Sequence, residues 1–301
     1  MILSSISTLP ALSVPTLPPT VGRGNPAPPV SLHDVAFARG LYVAVGSEGT
    51  ILTSENRREW DRQKSEANSR LQSIAYGDHR FVAVGDAGTI LVSPNGVCWR
   101  RIESAFRGDL TGIGFGNGLF VAVGASGAIL TSDDATTWTQ QASGVSTELR
   151  AVANSGCHFL VVGAHQTVLA SVDGIQWSRA LPSSCPSLNH VLASRGAFLA
   201  AGCPGVFLAS EDVRQWANLP SPASSIVHAL ADGHGSLVAV GGSGGIHTSA
   251  DGRLWIPRNS PSSHHLFGIT HGPQGFVAVG SCGTIVYSAD GSSWLPGAIL
   301  P

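Results

Sequence analysis

Seven tryptophans divide this chain into equal lengths. Trp60, Trp99, Trp138, Trp177, Trp216, Trp255 and Trp294 each stand 39 residues from the next. The same step separates Leu32, Leu71, Leu110, Leu149, Leu188, Val227 and Leu266, and also Gly46, Gly85, Gly124, Gly163, Gly202, Gly241 and Gly280. Periodicity of this length marks a repeat architecture, in which each unit is one supersecondary module that cannot bury its faces alone. The copies carry no insertion or deletion. Residues 32–301 therefore read as one array of seven units, starting at 32, 71, 110, 149, 188, 227 and 266, behind a leader of 1–31.

Inside a unit the apolar residues alternate and glycine bounds each run, which is the strand-and-hairpin signal. In the second unit this predicts strands over 71–76, 81–84 and 89–92, with a fourth carrying Trp99. Thirty-seven glycines, 18 prolines and only 12% charged residues suit many short strands and tight turns. A four-stranded unit of about 40 residues is a propeller blade. The expected fold class is all-β: a seven-bladed β-propeller with four antiparallel strands per blade. An open β-solenoid is the alternative, but nothing in it would fix the number of units. Blade seven holds all four of its own strands, so closure is expected from side-chain packing against blade one, unless the leader adds an outer strand beside blade seven.

The turn before each Trp repeats too. It reads Ser93-Pro-Asn95-Gly96-Val-Cys-Trp99, Ser171-Val-Asp173-Gly174-Ile-Gln-Trp177, Ser249-Ala-Asp251-Gly252-Arg-Leu-Trp255 and Ser288-Ala-Asp290-Gly291-Ser-Ser-Trp294. The other units keep Ser and Trp around Asn56, Asp134 or Asp212 but carry Arg57, Ala135 or Val213 in place of the glycine. A short carboxylate or amide in such a turn accepts backbone N–H bonds, so Asn56, Asn95, Asp134, Asp173, Asp212, Asp251 and Asp290 read as structural. Calcium would need several oxygen ligands converging on one ion, and one carboxylate per blade does not supply them. The pattern resembles the Asp box, or bacterial neuraminidase repeat, in a slightly shortened form, over residues 32–301. Within Asp-box propellers, the Phe-Val-Ala-Val-Gly-x-x-Gly-x-Ile-Leu segment is most similar to the photosystem II assembly/stability factor type. That resemblance implies a binding scaffold rather than an enzyme.

A pseudo-symmetric ring binds where its blades differ. The second-to-third strand turns and the links between blades share one end of the ring, here called the top. The positions after each unit's opening residue lie there: His33-Asp34, Gln72-Ser73, Thr111-Gly112, Arg150-Ala151, Asn189-His190, His228-Ala229 and Phe267-Gly268. Glu48, Asp86, His165 and Cys203 stand in the turns nearby, and His264-His265 in the link to blade seven. Six of 11 histidines fall on this face. Two functions compete. One is a recognition scaffold whose axial pocket takes a protein partner or a small polar ligand such as a glycan, through Glu48, Gln72, Asp86, His165, Asn189, Cys203, His264, His265 and Phe267. The other is a lyase, hydrolase or cyclase in which His33, His190 and His228 act as acid or base, Asp34 orients one of them and Arg150 holds an anionic group. The absence of long insertions favours the scaffold, because no lid is available to exclude water.

Several chemistries are set aside. A net charge of −2 gives no electrostatic case for nucleic acid or an anionic membrane, and no apolar run approaches a membrane helix of about 20 residues. Gly112-Ile-Gly114-Phe-Gly116-Asn-Gly118 has the glycines of a phosphate loop but no following helix. Sialidase chemistry needs a Tyr–Glu pair, whereas Tyr42 and Tyr287 fall inside strands and Tyr76 ends one. No cofactor and no metal are expected. His165, Cys185, His190 and Cys203 would offer soft ligands to zinc without a finger spacing, and Cys185–Cys203 is an alternative disulfide. The five cysteines do not form a framework. The proline-rich leader reads as extended or disordered and lacks signal-peptide character, which leans towards the cytoplasm.

Overall fold

The computed structural model describes residues 30–181, 186–221 and 225–299; the leader to 29 and Cys185 lie outside them. The chain forms seven antiparallel sheets in chain order, each of four strands, and blade one gains a fifth. Blade one is Leu32–Ala38, Leu41–Gly46, Ile51–Ser54 and Glu59–Gln63, and the other six repeat that order. Among the described residues no helix is long and apolar enough to cross a membrane.

Packing follows the repeat. Seven hydrophobic clusters fill the seven interfaces between neighbouring blades, from blade one against two round to blade seven against one. Val43 and Val45 face blade two, whereas Tyr42 and Ala44 face blade seven. Each second strand, such as Tyr42 to Val45, is thus buried on both faces. Such a strand reads as a continuous apolar run, which is why Phe-Val-Ala-Val recurs.

Tryptophan anchors each outer turn. The Trp99 indole N–H donates to the Gly96 carbonyl at 2.9 Å, and all seven tryptophans repeat this bond. The ring therefore ends the turn, and in blade two the fourth strand is Arg100–Ile102, beginning after Trp99 rather than carrying it. Asn95 Oδ1 accepts from Val97 N and Cys98 N at 3.0 and 2.9 Å, and Ser93 Oγ accepts from Gly96 N at 2.9 Å.

The ring closes differently from the expectation. The last described residues, Ala298–Ile299, pair in parallel with Glu59 and Trp60, on the outer edge of blade one. Ala298 N donates to Arg58 O at 2.7 Å. Beside this strand, the Arg57 guanidinium donates to Ser288 O at 3.0 Å and to Gln274 Oε1 at 3.2 Å, and stands 5.3 Å over the Tyr287 ring. Closure therefore joins hydrogen bonds from the C-terminal residues to the side-chain packing of the seam.

Candidate functional site

Every first strand contains the same irregularity at its top end. Leu32 faces Gly46 but Asp34 faces Val45, so His33 is an extra residue in the ladder. The same skip occurs at Gln72, Thr111, Arg150, Asn189, His228 and Phe267. A bulge leaves its extra residue unpaired and re-aims the side chain. Here seven bulges present seven side chains to the channel mouth, and only the histidine occurs twice among them.

A cavity of about 240 Å³ occupies this mouth. Of the candidate residues, it brings together His33, Asp34, Gln72, Arg150, Asn189, His190, His228 and Phe267. Ser73 and Thr111, top-face positions to which the sequence assigns no role, share its wall. Glu48, Asp86, His165, Cys203, His264 and His265 are not in that wall.

Those six take other places. The turn carrying Glu48 needs a left-handed residue at its centre: Glu48 has φ 55° and His165 has φ 46°. Asp86 and Cys203 stand one place earlier in their turns, so they are out of step with the other two. Blade five has Pro204 at the central place, where its ring holds φ negative, and the short 3-10 turn of the other six blades is missing there. Asp86 accepts from Gln72 Nε2 at 2.6 Å and pairs with Arg70 at 3.2 Å. His264 Nδ1 lies 3.0 Å from the Thr284 hydroxyl, and His265 Nδ1 accepts from Ser243 N at 3.2 Å. Cys203 packs against the cluster between blades four and five. Cys98, Cys157, Cys203 and Cys282 are free thiols, and among the described residues no three or more His, Cys, Asp or Glu side chains are grouped as a metal ion would need.

The acid–base arrangement meets a correction at Asp34. This carboxylate engages blade two rather than an imidazole: it accepts from the Ser73 hydroxyl at 2.8 Å and from Ile74 N at 3.0 Å there, and from Val35 N of its own strand at 2.8 Å. Burial raises its pKa to about 6 against the hydrogen bonds that favour the anion. Burial also lowers His33 and His190 to about 4, with Arg70 adding to the effect at His33. His228 is lowered by burial and by nearby His265. His33 and His190 are therefore neutral at pH 7. His33 Nε2 meets the Ser47 hydroxyl at 3.1 Å.

Arg150 is held on both sides. Its Nε donates to Glu148 at 3.0 Å and its Nη1 to Asn189 Oδ1 at 2.8 Å, while Asn189 Nδ2 reaches Val227 O at 3.1 Å. Blades four, five and six are thus tied together at the mouth, and the guanidinium charge is partly answered. Opposite, Phe267 lies between rings, 5.7 Å from His33 and 5.3 Å from His228, with His265 stacked on it at 6.2 Å. One side of the mouth offers directional polar groups, and the other a patch of flat rings.

No protein-family model matches the chain, and no curated protein matches it. Solved structures do match. YCF48 from Cyanidioschyzon merolae is 16% identical with a TM-score of 0.69, covering 88% of this chain and 96% of that one. YCF48 bound to D1 peptide is 18% identical with a TM-score of 0.70, covering 86% and 92%. The WD40 β-propeller domain of Doa1 is 14% identical with a TM-score of 0.70, covering 87% and 94%. Identities this low speak to the fold alone, and this chain's fold is a seven-bladed β-propeller.

Proposed function

We propose that this chain is a recognition scaffold that binds a protein partner with its top face, the axial cavity taking a polar side chain of that partner. One observation carries the reading: the blades repeat, yet each presents a bulged residue to one mouth, and those residues differ almost throughout. A repeat built only for stability has no need of such variety at a single ring of positions. The cavity, at about 240 Å³, lies below the 300–1,000 Å³ usual for drug-sized ligands, so it suits a side chain better than a whole cofactor. Propeller neighbours give precedent, since YCF48 has been seen bound to D1 peptide. The resemblance to the photosystem II assembly/stability type of Asp-box propeller points the same way. A catalytic role for the same residues draws less support, because Asp34, the carboxylate that would orient an imidazole, is bonded to Ser73 and Ile74 of blade two instead.

A photo-crosslinking residue placed at Phe267 in the full chain tests this. The expected result is a discrete protein adduct in cells that disappears with Arg150→Ala. The same probe at Val172, exposed on the opposite face, is expected to give a different pattern or none. Identical adducts from both positions, or no protein adduct from Phe267, would overturn the reading. A small-molecule adduct at Phe267 would replace the protein partner with a small polar ligand such as a glycan.

A further inference from the structure

The channel has a second end. The sixth residue of each first strand forms a ring there, reading Phe37, Tyr76, Phe115, Asn154, Ala193, Asp232 and His271. In blades one to three this residue is aromatic and lies on a second-strand ring of its own blade, as Phe115 does on Phe120 at 4.6 Å. In blades four to seven the ring turns polar or small, and there a cavity of about 400 Å³ opens, walled only by those four blades.

Three buried side-chain atoms among the described residues lack a hydrogen-bond partner: Asn154 Nδ2, His190 Nδ1 and His271 Nε2. All three residues line this one cavity. A buried polar group left unpaired is destabilising, so three in one wall is a concentration that calls for a cause. The Asn154 amide is oriented by its own Oδ1, which accepts from Gly156 N at 2.7 Å and leaves Nδ2 to donate. His271 is fixed by packing, 4.7 Å from Phe276 and 4.6 Å from His234, with its ring over the bare Cα of Gly233.

We propose that this lower cavity binds a small neutral polyhydroxylated molecule of the monosaccharide or cyclitol class. The carboxylate of the wall is already answered from outside it: Asp232 receives a two-point pair from Arg195, at 2.7 and 3.0 Å, and a further bond from Ser194. An ion entering the cavity would find no uncompensated charge to balance its lost hydration. What remains is one amide donor and two imidazole nitrogens, each of which donates or accepts according to tautomer. Hydroxyl groups match that mixture because each does both. Val152, Ala153, Leu192 and Ala193, which are only partly buried, give the cavity an apolar side for the C–H face of such a molecule. This site is separate from the upper mouth, although His190 borders both.

Isothermal titration of the full chain with glucose, galactose, mannose and myo-inositol tests this, with gluconate and glucosamine as charged controls. His271→Phe is the informative variant, because it copies the Phe115 arrangement already built into blade three and puts an apolar ring in place of the imidazole. The expected result is saturable one-to-one binding of at least one neutral compound, weakened about tenfold by His271→Phe and by Asn154→Leu. Phe267→Ala, at the upper mouth, should leave that binding unchanged. The proposal is overturned if none of the neutral compounds binds up to its solubility limit, if either charged control binds more tightly, or if binding survives both lower-cavity variants. Failure here leaves crosslinking at Phe267 unaffected, so the two readings fall separately.

Discussion

The titrating residues of the channel set a pH dependence whose sign follows from burial. His33 and His190 fall from 6.5 to about 4 in the folded chain. Between these values the unfolded imidazoles bind protons that the folded ones refuse, so stability is lost as pH falls, by up to roughly 3 kcal/mol for each residue before discounting for partial exposure. Asp34 works the other way. Its rise from 3.8 to about 6 means that the folded chain holds a proton the unfolded chain releases, which adds stability as pH falls through that window. Two histidines outweigh one aspartate. Urea midpoints should therefore fall between pH 6.5 and 4.5, His190→Leu should remove most of that fall because Asp34 nearly offsets the one histidine left, and Asp34→Asn should steepen it; equal slopes in all three proteins would contradict this balance. The chemistry of these residues was legible in the sequence, but their company was not. Asp34 stands beside His33 in the chain, yet a register skip turns it towards Ser73 of the next blade.

At the scale of the element, the turns decide what the strands can present. The alternation and glycine boundaries of the first three strands were readable, because each obeys a period of two against a repeating neighbour. The bulge was not readable, since one extra residue leaves the apolar pattern intact on both sides of it. Backbone approach was equally hidden. Gly88 has φ +68°, and a Cβ there would lie 2.1 Å from the Phe106 carbonyl oxygen, whereas Gly118 at φ +75° has open space around it. Gly118→Ala should cost about 1 kcal/mol for the left-handed backbone alone. Gly88→Ala adds a clash with backbone that cannot move aside, and should cost at least twice as much. Thermal unfolding of the two variants measures the difference, and equal losses would mean that the Asp86–Gly88 turn is free to shift away from the link to blade three.

For the whole molecule, seven equal modules were legible from the tryptophans, and seven blades are what the chain builds. The seam was not legible, because Ala298–Ile299 is too short for any periodicity to reveal and pairs in parallel with a strand near the other end of the array. Ala298→Pro removes the bond to Arg58 O, worth about 1 kcal/mol, and should lower the unfolding midpoint by about 2–4 °C. Arg57→Ala should act in the same direction through its lost bonds to Ser288 and Gln274, and a variant pair without effect would return closure to packing alone. The function rests on the claim that the ring carries the scaffold and the bulges carry the specificity. That division is tested most directly by making the bulged ring uniform, with His33, Gln72, Arg150, Asn189, His228 and Phe267 all changed to Thr to copy Thr111. A photo-crosslinker at exposed Ser126, on the same face, then reads partner capture. The propeller should still unfold cooperatively while the partner adduct disappears; an adduct that persists on the uniform ring would contradict the account.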